Sequence, residues 1–324
     1  MQLRKNKVGN TGLEVTRLSL GGASLGNLAQ AISDQQAQDV LSHAWAAGIN
    51  YFDTAPHYGR GLSEQRLGQF LSNKPRGDYV ISTKVGRVLS PGEPMSEADG
   101  FVNPLPNNVR YDYSAKGIRE SFESSCERLQ TDYIDILYVH DIGVYTHGEA
   151  ENTRHMHDFL TTGADELRRL KAEGKITAFG LGVNETQVCI DIMKRVPLDV
   201  ILIAGRLSLL DRSAEVELTG LCREMGTSLV LGGIFNSGIL ATGAKAGATY
   251  DYGPAPEAVL EVVRKLEVEA SEAGLSIAEA ALQFAINHPS AMSVLLGTGD
   301  VGILQLNLDA AQKILAKGAS GLTV

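Results

Sequence analysis

Four side chains suited to proton transfer stand at matching places in successive apolar runs. Asp53 ends Tyr51-Phe52-Asp53, Tyr58 follows a short turn later, Lys84 closes Val80-Ile81-Ser82-Thr83-Lys84, and His140 follows the run 134–139. A lysine ending an apolar strand is costly to desolvate without a carboxylate nearby, so Asp53 is its expected partner. That pair sets a cation beside Tyr58, and a neighbouring cation lowers a tyrosine pKa from about 10 toward the neutral range. A histidine opposite orients the reacting oxygen. The chemistry expected of the set is proton exchange at a carbon–oxygen centre. Taken singly, each has a plainer account: a rim aromatic, a strand-end cap, an edge lysine with its head in water, a satisfied core histidine. His57, next to Tyr58, is a further candidate for the substrate pocket. Tyr111, Tyr113, Tyr145 and His147 fall in what read as long loops and are weaker candidates.

The elements that must position these residues can be counted. Short β-rich runs at 17–20, 51–54, 79–84, 134–139, 177–181, 200–204, 228–231 and 293–296 make eight strands. Helical periodicity falls between them at 34–47, 114–129, 163–173, 185–194, 215–225 and 303–317, with Ser33 placed to cap the first. Gly48, Gly174 and Gly226 stand where left-handed C-terminal glycines belong. Eight strands alternating with helices predict an α/β fold of the (β/α)8, or TIM-barrel, kind. No GxGxxG follows the first strand, which argues against an open dinucleotide-binding sheet. The chain, 1–324, has no linker and is expected to be one domain. The start of the chain, with Gly9, Gly12, Val15, Leu18 and Leu20, predicts a hairpin closing the barrel's bottom. The stretch 88–113, rich in Pro, Gly and Asn, predicts a lid over the active face, and 255–287 a double helix before the last strand.

Composition narrows the partners. Lys plus Arg is 29 against Asp plus Glu at 38, a net charge of −9 that disfavours nucleic acid and acidic membranes. No run approaches the ~20 apolar residues needed to span a bilayer, and 1–15 lacks the apolar core of a secretory leader. Cys126, Cys189 and Cys222 show neither CxxC nor zinc spacing. They read as reduced thiols in a cytoplasmic protein acting on a small molecule, with homo-oligomerisation open and no metal expected.

The stretch Gly48-Ile49-Asn50-Tyr51-Phe52-Asp53-Thr54-Ala55-Pro56-His57-Tyr58-Gly59, with Gly61, Ser63 and Glu64 behind it, resembles the signature of the aldo-keto reductases. The order continues through Lys84, Tyr133 to His140, Gly174-Lys175-Ile176, Gly180, Asn184 and Leu209-Leu210-Asp211-Arg212, over essentially the whole chain. The resemblance implies a barrel binding an extended nicotinamide dinucleotide, with Tyr58 as general acid or base, Asp53 and Lys84 tuning it, and His140 with His57 and Tyr58 meeting the substrate. It implies cofactor contacts at Gly22, Asp53, Asn184, Gly233, Phe235, Asn236, Ser237, Gly238, Leu240, Gly297, Thr298, Gly299, Asp300 and Asn307. Family members usually carry Ser-Asn at Val183-Asn184, Gln at Ala204 and an aromatic at Gly232. Where NADP-preferring members commonly place Arg, this chain has Gly299 and Ile303. Without a guanidinium for the 2′-phosphate, and with Asp300 to repel it, NAD is expected over NADP. Asp300 also suits a plain helix N-cap.

Residues 232–240, with Ala204-Gly205-Arg206 and Asp112-Tyr113-Ser114, are similar to a narrower group, the D-threo-aldose 1-dehydrogenases (L-fucose dehydrogenases), and equally to pyridoxal 4-dehydrogenases. That group implies oxidation of an aldose at its anomeric carbon to the lactone, with oxidation of pyridoxal to its lactone as the alternative. Two other classes compete. A metal-dependent barrel hydrolase would use Asp53, His57, His140 and Asp141 as ligands but leaves Lys84 and Tyr58 unexplained. A non-catalytic nucleotide-binding sensor of the same fold would have no need of all four polar residues.

Overall fold

The structure, a computed structural model, describes residues 3–317. Eight parallel strands close into a barrel: β1 (Leu18–Gly21), β2 (Tyr51–Asp53), β3 (Val80–Val85), β4 (Ile134–His140), β5 (Ile176–Val183), β6 (Val200–Ala204), β7 (Ser228–Gly232) and β8 (Ala291–Gly297), with β8 pairing back to β1. These are the eight predicted runs, shifted at their ends by one or two residues. Around them run α1 (Asp34–Ala46), α2 (Leu62–Leu71), α3 (Ala115–Leu129), α4 (Val144–Asp158), α5 (Ala164–Ala172), α6 (Thr186–Met193), α7 (Leu218–Met225), α8 (Glu257–Glu272), α9 (Ile277–Asn287) and α10 (Val301–Lys317).

Strand alternation sorts the core into two layers. Tyr51, Val80, Ile136, Tyr138, Ala178, Val200, Leu202, Val230 and Met292 point inward and pack together. Phe52, Ile81, Leu137, Val139 and Leu181 point outward against the helices. By parity, Asp53, Ser82, Lys84 and His140 also point inward, above the apolar layers. The pairings Asp53 with Ser82, Lys84 with Tyr138 and His140 with Gly182 stack them near one level. Inside, the Tyr138 and Tyr51 hydroxyls lie 2.9 Å apart and Tyr51 lies 3.0 Å from Ser82 Oγ.

The N-terminal hairpin, Lys5–Lys7 paired with Glu14–Thr16, forms as expected. Val8 and Val15 are fully buried among the inward residues, so the hairpin plugs the barrel's lower end. Asn50 ties it to β2 by accepting from Thr16 N at 2.7 Å. Ser33 caps α1 in a reciprocal capping box with Gln36, and Gly48, Gly174 and Gly226 all take left-handed backbone.

Two helices lie beyond the sequence expectation. In α2 the buried face is mixed: Leu67, Phe70 and Leu71 pack into the core, while Ser63, Glu64 and Arg66 are buried through polar contacts. In α4 the buried residues are Asn152 and His155, and Gly148 breaks the helical backbone with φ 68°. Tyr145 and His147 therefore belong to α4, not to loops. The segment 88–113 is a twisted ribbon, Arg87–Pro91 against Asn107–Tyr111, with a smaller pair Glu97–Ala98 and Phe101–Val102 at its tip. Its tip docks on the segment after β1 through Asn27 Nδ2 to Val102 O at 3.0 Å and a bridge between Leu28 and Phe101. Cys189 and Cys222 are buried, and no described helix is long and apolar enough to cross a membrane.

Candidate active site

Asp53, Tyr58, Lys84 and His140 converge at the barrel's C-terminal mouth. Lys84 Nζ donates to Asp53 Oδ2 at 2.7 Å, to the Thr54 carbonyl at 2.8 Å and to the Tyr58 hydroxyl oxygen at 3.2 Å. An ammonium has three protons, and all three are committed. Tyr58 Oη therefore accepts from Lys84, and its own proton is left to point elsewhere. The Lys84 and Asp53 side chains are 2% and 0% exposed, so this pair is screened little by water. Ser82 Oγ donates to Asp53 Oδ1 at 2.7 Å, which satisfies the second carboxylate oxygen. Because Ser82 gives its proton to Asp53, Tyr51 must donate to Ser82 and Tyr138 to Tyr51, a chain of hydroxyls oriented by the carboxylate. Gly182 permits this packing: a Cβ there would lie 3.2 Å from Lys84 Cε and 3.3 Å from Tyr138 Cβ.

Electrostatics departs from expectation at Tyr58. Burial raises its pKa above the ordinary tyrosine value, and the Lys84 charge opposes this without reversing it. The expected lowering is therefore corrected: desolvation of the phenolate outweighs one neighbouring cation that Asp53 already neutralises. Burial also works against the Lys84 ammonium, but Asp53 and Tyr58 outweigh it and raise its pKa. Burial, with Arg87 and Lys84, holds His140 well below its usual range, so its ring is neutral. His57 is pushed down to about 2 by burial and then by Arg87. The ring centroids of His57, Tyr58 and His140 lie 5.8 to 6.3 Å apart, around one space. Phe101, from the ribbon tip, packs 5.1 Å from His57 and 6.1 Å from Tyr58.

Residues behind the signature hold the scaffold. Ser63 Oγ donates to Gly22 O at 2.7 Å and accepts from Thr54 Oγ1 at 2.8 Å. Glu64, fully buried, accepts from Thr83 Oγ1 at 2.6 Å and pairs with Arg128 Nε at 2.6 Å. Arg87 and Asp141 are the residues whose roles the sequence reading missed. Arg87 Nη1 lies 2.6 Å from His57 Nδ1, and Nη2 bonds Asp141 Oδ2. The sequence offers Asp141 only as a metal ligand and does not single out Arg87. The signal was an arginine three residues past Lys84, in a run otherwise apolar.

The other candidate residues ring the opposite side of the mouth. Gly233, Asn236, Ser237 and Gly238 follow β7, with φ of 59°, 44°, 57° and 98°. A hairpin, Thr249–Tyr250 against Gly253–Pro254, lies over them: Tyr252 N donates to Ser237 Oγ at 3.0 Å and Thr249 Oγ1 to Ser237 O at 2.6 Å. Arg206 fixes it, reaching Asp251 at 2.9 and 3.1 Å and Asn184 O at 2.8 Å. Some expected contacts are already engaged. Asn236 bonds Ser208 Oγ at 2.6 Å and Gly205 O at 3.0 Å, Leu240 is buried in an apolar cluster with Ile239, and Phe235 is partly buried beside it. Asp300 Oδ1 caps α10 by accepting from Ile303 N at 2.8 Å, and Thr298 Oγ1 accepts from Asp300 N at 3.1 Å. Asn307 is half-buried on α10.

The arrangement fits a dinucleotide. Gly297, exposed at the end of β8, has nothing within 3.9 Å of where a Cβ would stand, and Gly238 has nothing within 4 Å. The 17-residue α10 opens beside Gly297, Thr298 and Gly299, where helix amides suit an anionic group. The side-chain amide of Asn184 has no hydrogen-bonding partner among the described residues. At Gly22 the absence of a side chain is also required by packing, since a Cβ there would lie 2.6 Å from Ser63 Oγ. No described group of three or more His, Cys, Asp or Glu is placed to hold a metal ion.

The chain is similar to known proteins over its length. It is 41% identical to pyridoxal 4-dehydrogenase of Microbacterium luteolum, over 90% of this chain and 88% of that protein. It is 37% identical to D-threo-aldose 1-dehydrogenase of a Pseudomonas species, over 93% and 90%. Among solved structures, the holo form of an aldo-keto reductase from Bacillus halodurans superposes with a TM-score of 0.75 at 26% identity, covering 99% of both chains. Residues 17–317 match the Aldo/keto reductase family, whose members act on small molecules with NAD(P)H. The chain belongs to the aldo/keto reductase family and is an NAD(P)-dependent oxidoreductase.

Proposed function

We propose that this oxidoreductase, read as a single barrel domain, oxidises a cyclic hemiacetal to a lactone, the anomeric hydroxyl of an aldose such as L-fucose, with NAD rather than NADP. The observation that carries the reading is the ammonium of Lys84 donating to Tyr58 Oη while Asp53 and Thr54 O take its other protons. A bound nicotinamide ring supplies the hydride acceptor. Tyr58 removes the hydroxyl proton in that direction and returns it in reduction. Lys84, held by Asp53, stabilises the phenolate at the moment the proton leaves. His140, neutral, donates to the reacting oxygen and fixes it within reach of Tyr58. Gly297, Thr298 and Gly299 with the start of α10 would hold the nucleotide's adenosine end, and Asn184 the carboxamide. The preference for NAD rests on Gly299 and Ile303, which offer no guanidinium to a 2′-phosphate.

Pyridoxal, which also closes to a cyclic hemiacetal, is the second reading, favoured by the 41% identity to the Microbacterium enzyme. The deciding experiment follows absorbance of the reduced nicotinamide with NAD or NADP and, in turn, L-fucose, D-arabinose, L-galactose and pyridoxal. Turnover of a sugar with NAD is expected. Turnover of pyridoxal alone would move the substrate and keep the mechanism, and silence with all, despite nucleotide binding, would favour a sensor.

A further inference from the structure

Lys84 is followed by a turn at Gly86, where φ is 104° and a Cβ would lie 2.3 Å from Tyr113 Cε1. That turn sends Arg87 back into the mouth, where its side chain is buried. A guanidinium only donates, so the 2.6 Å contact from Nη1 makes His57 Nδ1 an acceptor. The proton of the neutral His57 ring therefore sits on Nε2, and His57 is a donor on that side. The other arm of Arg87 holds Asp141 Oδ2, which stands 3.4 Å from His140 Nε2. Asp141 reaches this place with φ 48°, a left-handed conformation that a non-glycine residue rarely adopts, and its N–H is tied to Gly182 O at 3.0 Å. Asp141 Oδ1 accepts no hydrogen bond among the described residues, and Arg87 Nε is buried without a partner. Arg87 thus ties together an imidazole donor, whose ring centroid lies 5.8 Å from that of His140, and a carboxylate beside His140 with one oxygen unspent.

We propose that Arg87, Asp141 and His57 form a hydroxyl-recognition wall, which selects substrates carrying a free hydroxyl on the carbon next to the reacting one. A hydroxyl both donates and accepts, and so matches Asp141 Oδ1 and His57 Nε2 together. Arg87 cancels the charge of Asp141, so the wall binds a neutral polar group rather than an anion. A substrate lacking that hydroxyl leaves the carboxylate and imidazole unpaired, and such sites discriminate strongly. Arg87 and Asp141 act here as positioning and specificity residues, and the inference rests on the oxidoreductase reading of Tyr58.

The test compares pairs of compounds that differ by one hydroxyl. In reduction these are lactaldehyde and propanal; in oxidation, D-arabinose and 2-deoxy-D-erythro-pentose. The wild-type chain is expected to favour the hydroxylated member of each pair by about tenfold or more in kcat/KM. Asp141→Asn, close to isosteric, is expected to bring the preference within about threefold, chiefly by raising KM for the hydroxylated compound. Arg87→Lys, which keeps the charge and loses the planar fork, is expected to shift the preference the same way. Equal losses on lactaldehyde and propanal, or a wild type with no preference or no turnover of lactaldehyde, would overturn the wall. Failure on both sugars with a preference intact between the aldehydes would overturn the sugar reading alone.

Discussion

The two sides of the barrel mouth are built from different materials. On the side of β2, β3 and β4, Asp53, Lys84 and His140 are buried side chains and Tyr58 is half-buried, with Lys84 bonded directly to Asp53 and Tyr58. On the side of β6, β7 and β8, the surface is backbone: Gly233, Asn236, Ser237 and Gly238 at positive φ, strapped by a hairpin whose Asp251 and Tyr252 are also at positive φ. Proton transfer needs side chains of set polarity, and only burial in a rigid barrel holds them within tenths of an ångström. A long polar ligand is better met by main-chain groups, and shaping them requires conformations that side chains resist. The first side is rigid by packing and the second by local strain.

Removing the proton carrier separates the two sides most sharply. Tyr58→Phe is expected to lower kcat about 100- to 10,000-fold while nucleotide affinity, read by fluorescence titration, stays within about twofold. In the unaltered enzyme, burial keeps Tyr58 protonated through neutral pH. The oxidation rate is therefore expected to rise with pH across the alkaline range as the phenolate fraction grows, and the reduction rate to stay flat. A Tyr58→Phe variant that keeps this slope would remove Tyr58 from the mechanism.

Next in size is a contrast in stability. Lys84→Met leaves Asp53 buried and unpaired, with an expected loss of ~3–5 kcal/mol in denaturant unfolding, most of it recovered by Asp53→Asn in the same chain. On the other side, Gly233→Ala meets φ 59° and a Cβ 2.9 Å from Gly205 N. Its expected loss is about 1–2 kcal/mol, accompanied by weaker nucleotide binding and little change in kcat. Equal effects of the two on kcat would erase the distinction between the sides. The smallest effect belongs to Asp251→Asn. Its pair with Arg206 is partly exposed, so stability should move by no more than about 1 kcal/mol. Nucleotide release, followed by stopped-flow fluorescence, should nevertheless quicken, and an unchanged rate would show that the hairpin does not close on the nucleotide.

The same division governs what the sequence disclosed. The barrel was legible because strands buried on both faces, such as Val80 to Val85, read as short continuous β-rich runs between helical segments, and because glycines such as Gly226 mark helix ends. The meeting of Asp53, Lys84, Tyr58 and His140 was legible because they stand at or just past the C-terminal ends of successive strands, which a barrel gathers at one mouth. The direction of the Tyr58 shift was not, because it depends on how completely the phenol is buried, which no local pattern records. Helix α4 escaped because it buries Asn152 and His155 rather than an apolar stripe. The link from Arg87 to His57 and Asp141 spans three separate connections and rests on side-chain reach.

The hairpin that buries Val8 and Val15 against Tyr51, Val80 and Ile136 carries the apolar filling of the barrel down to its floor. The site is therefore open from one end, and whatever reaches Asp53, Tyr58, Lys84 and His140 comes and goes by the mouth.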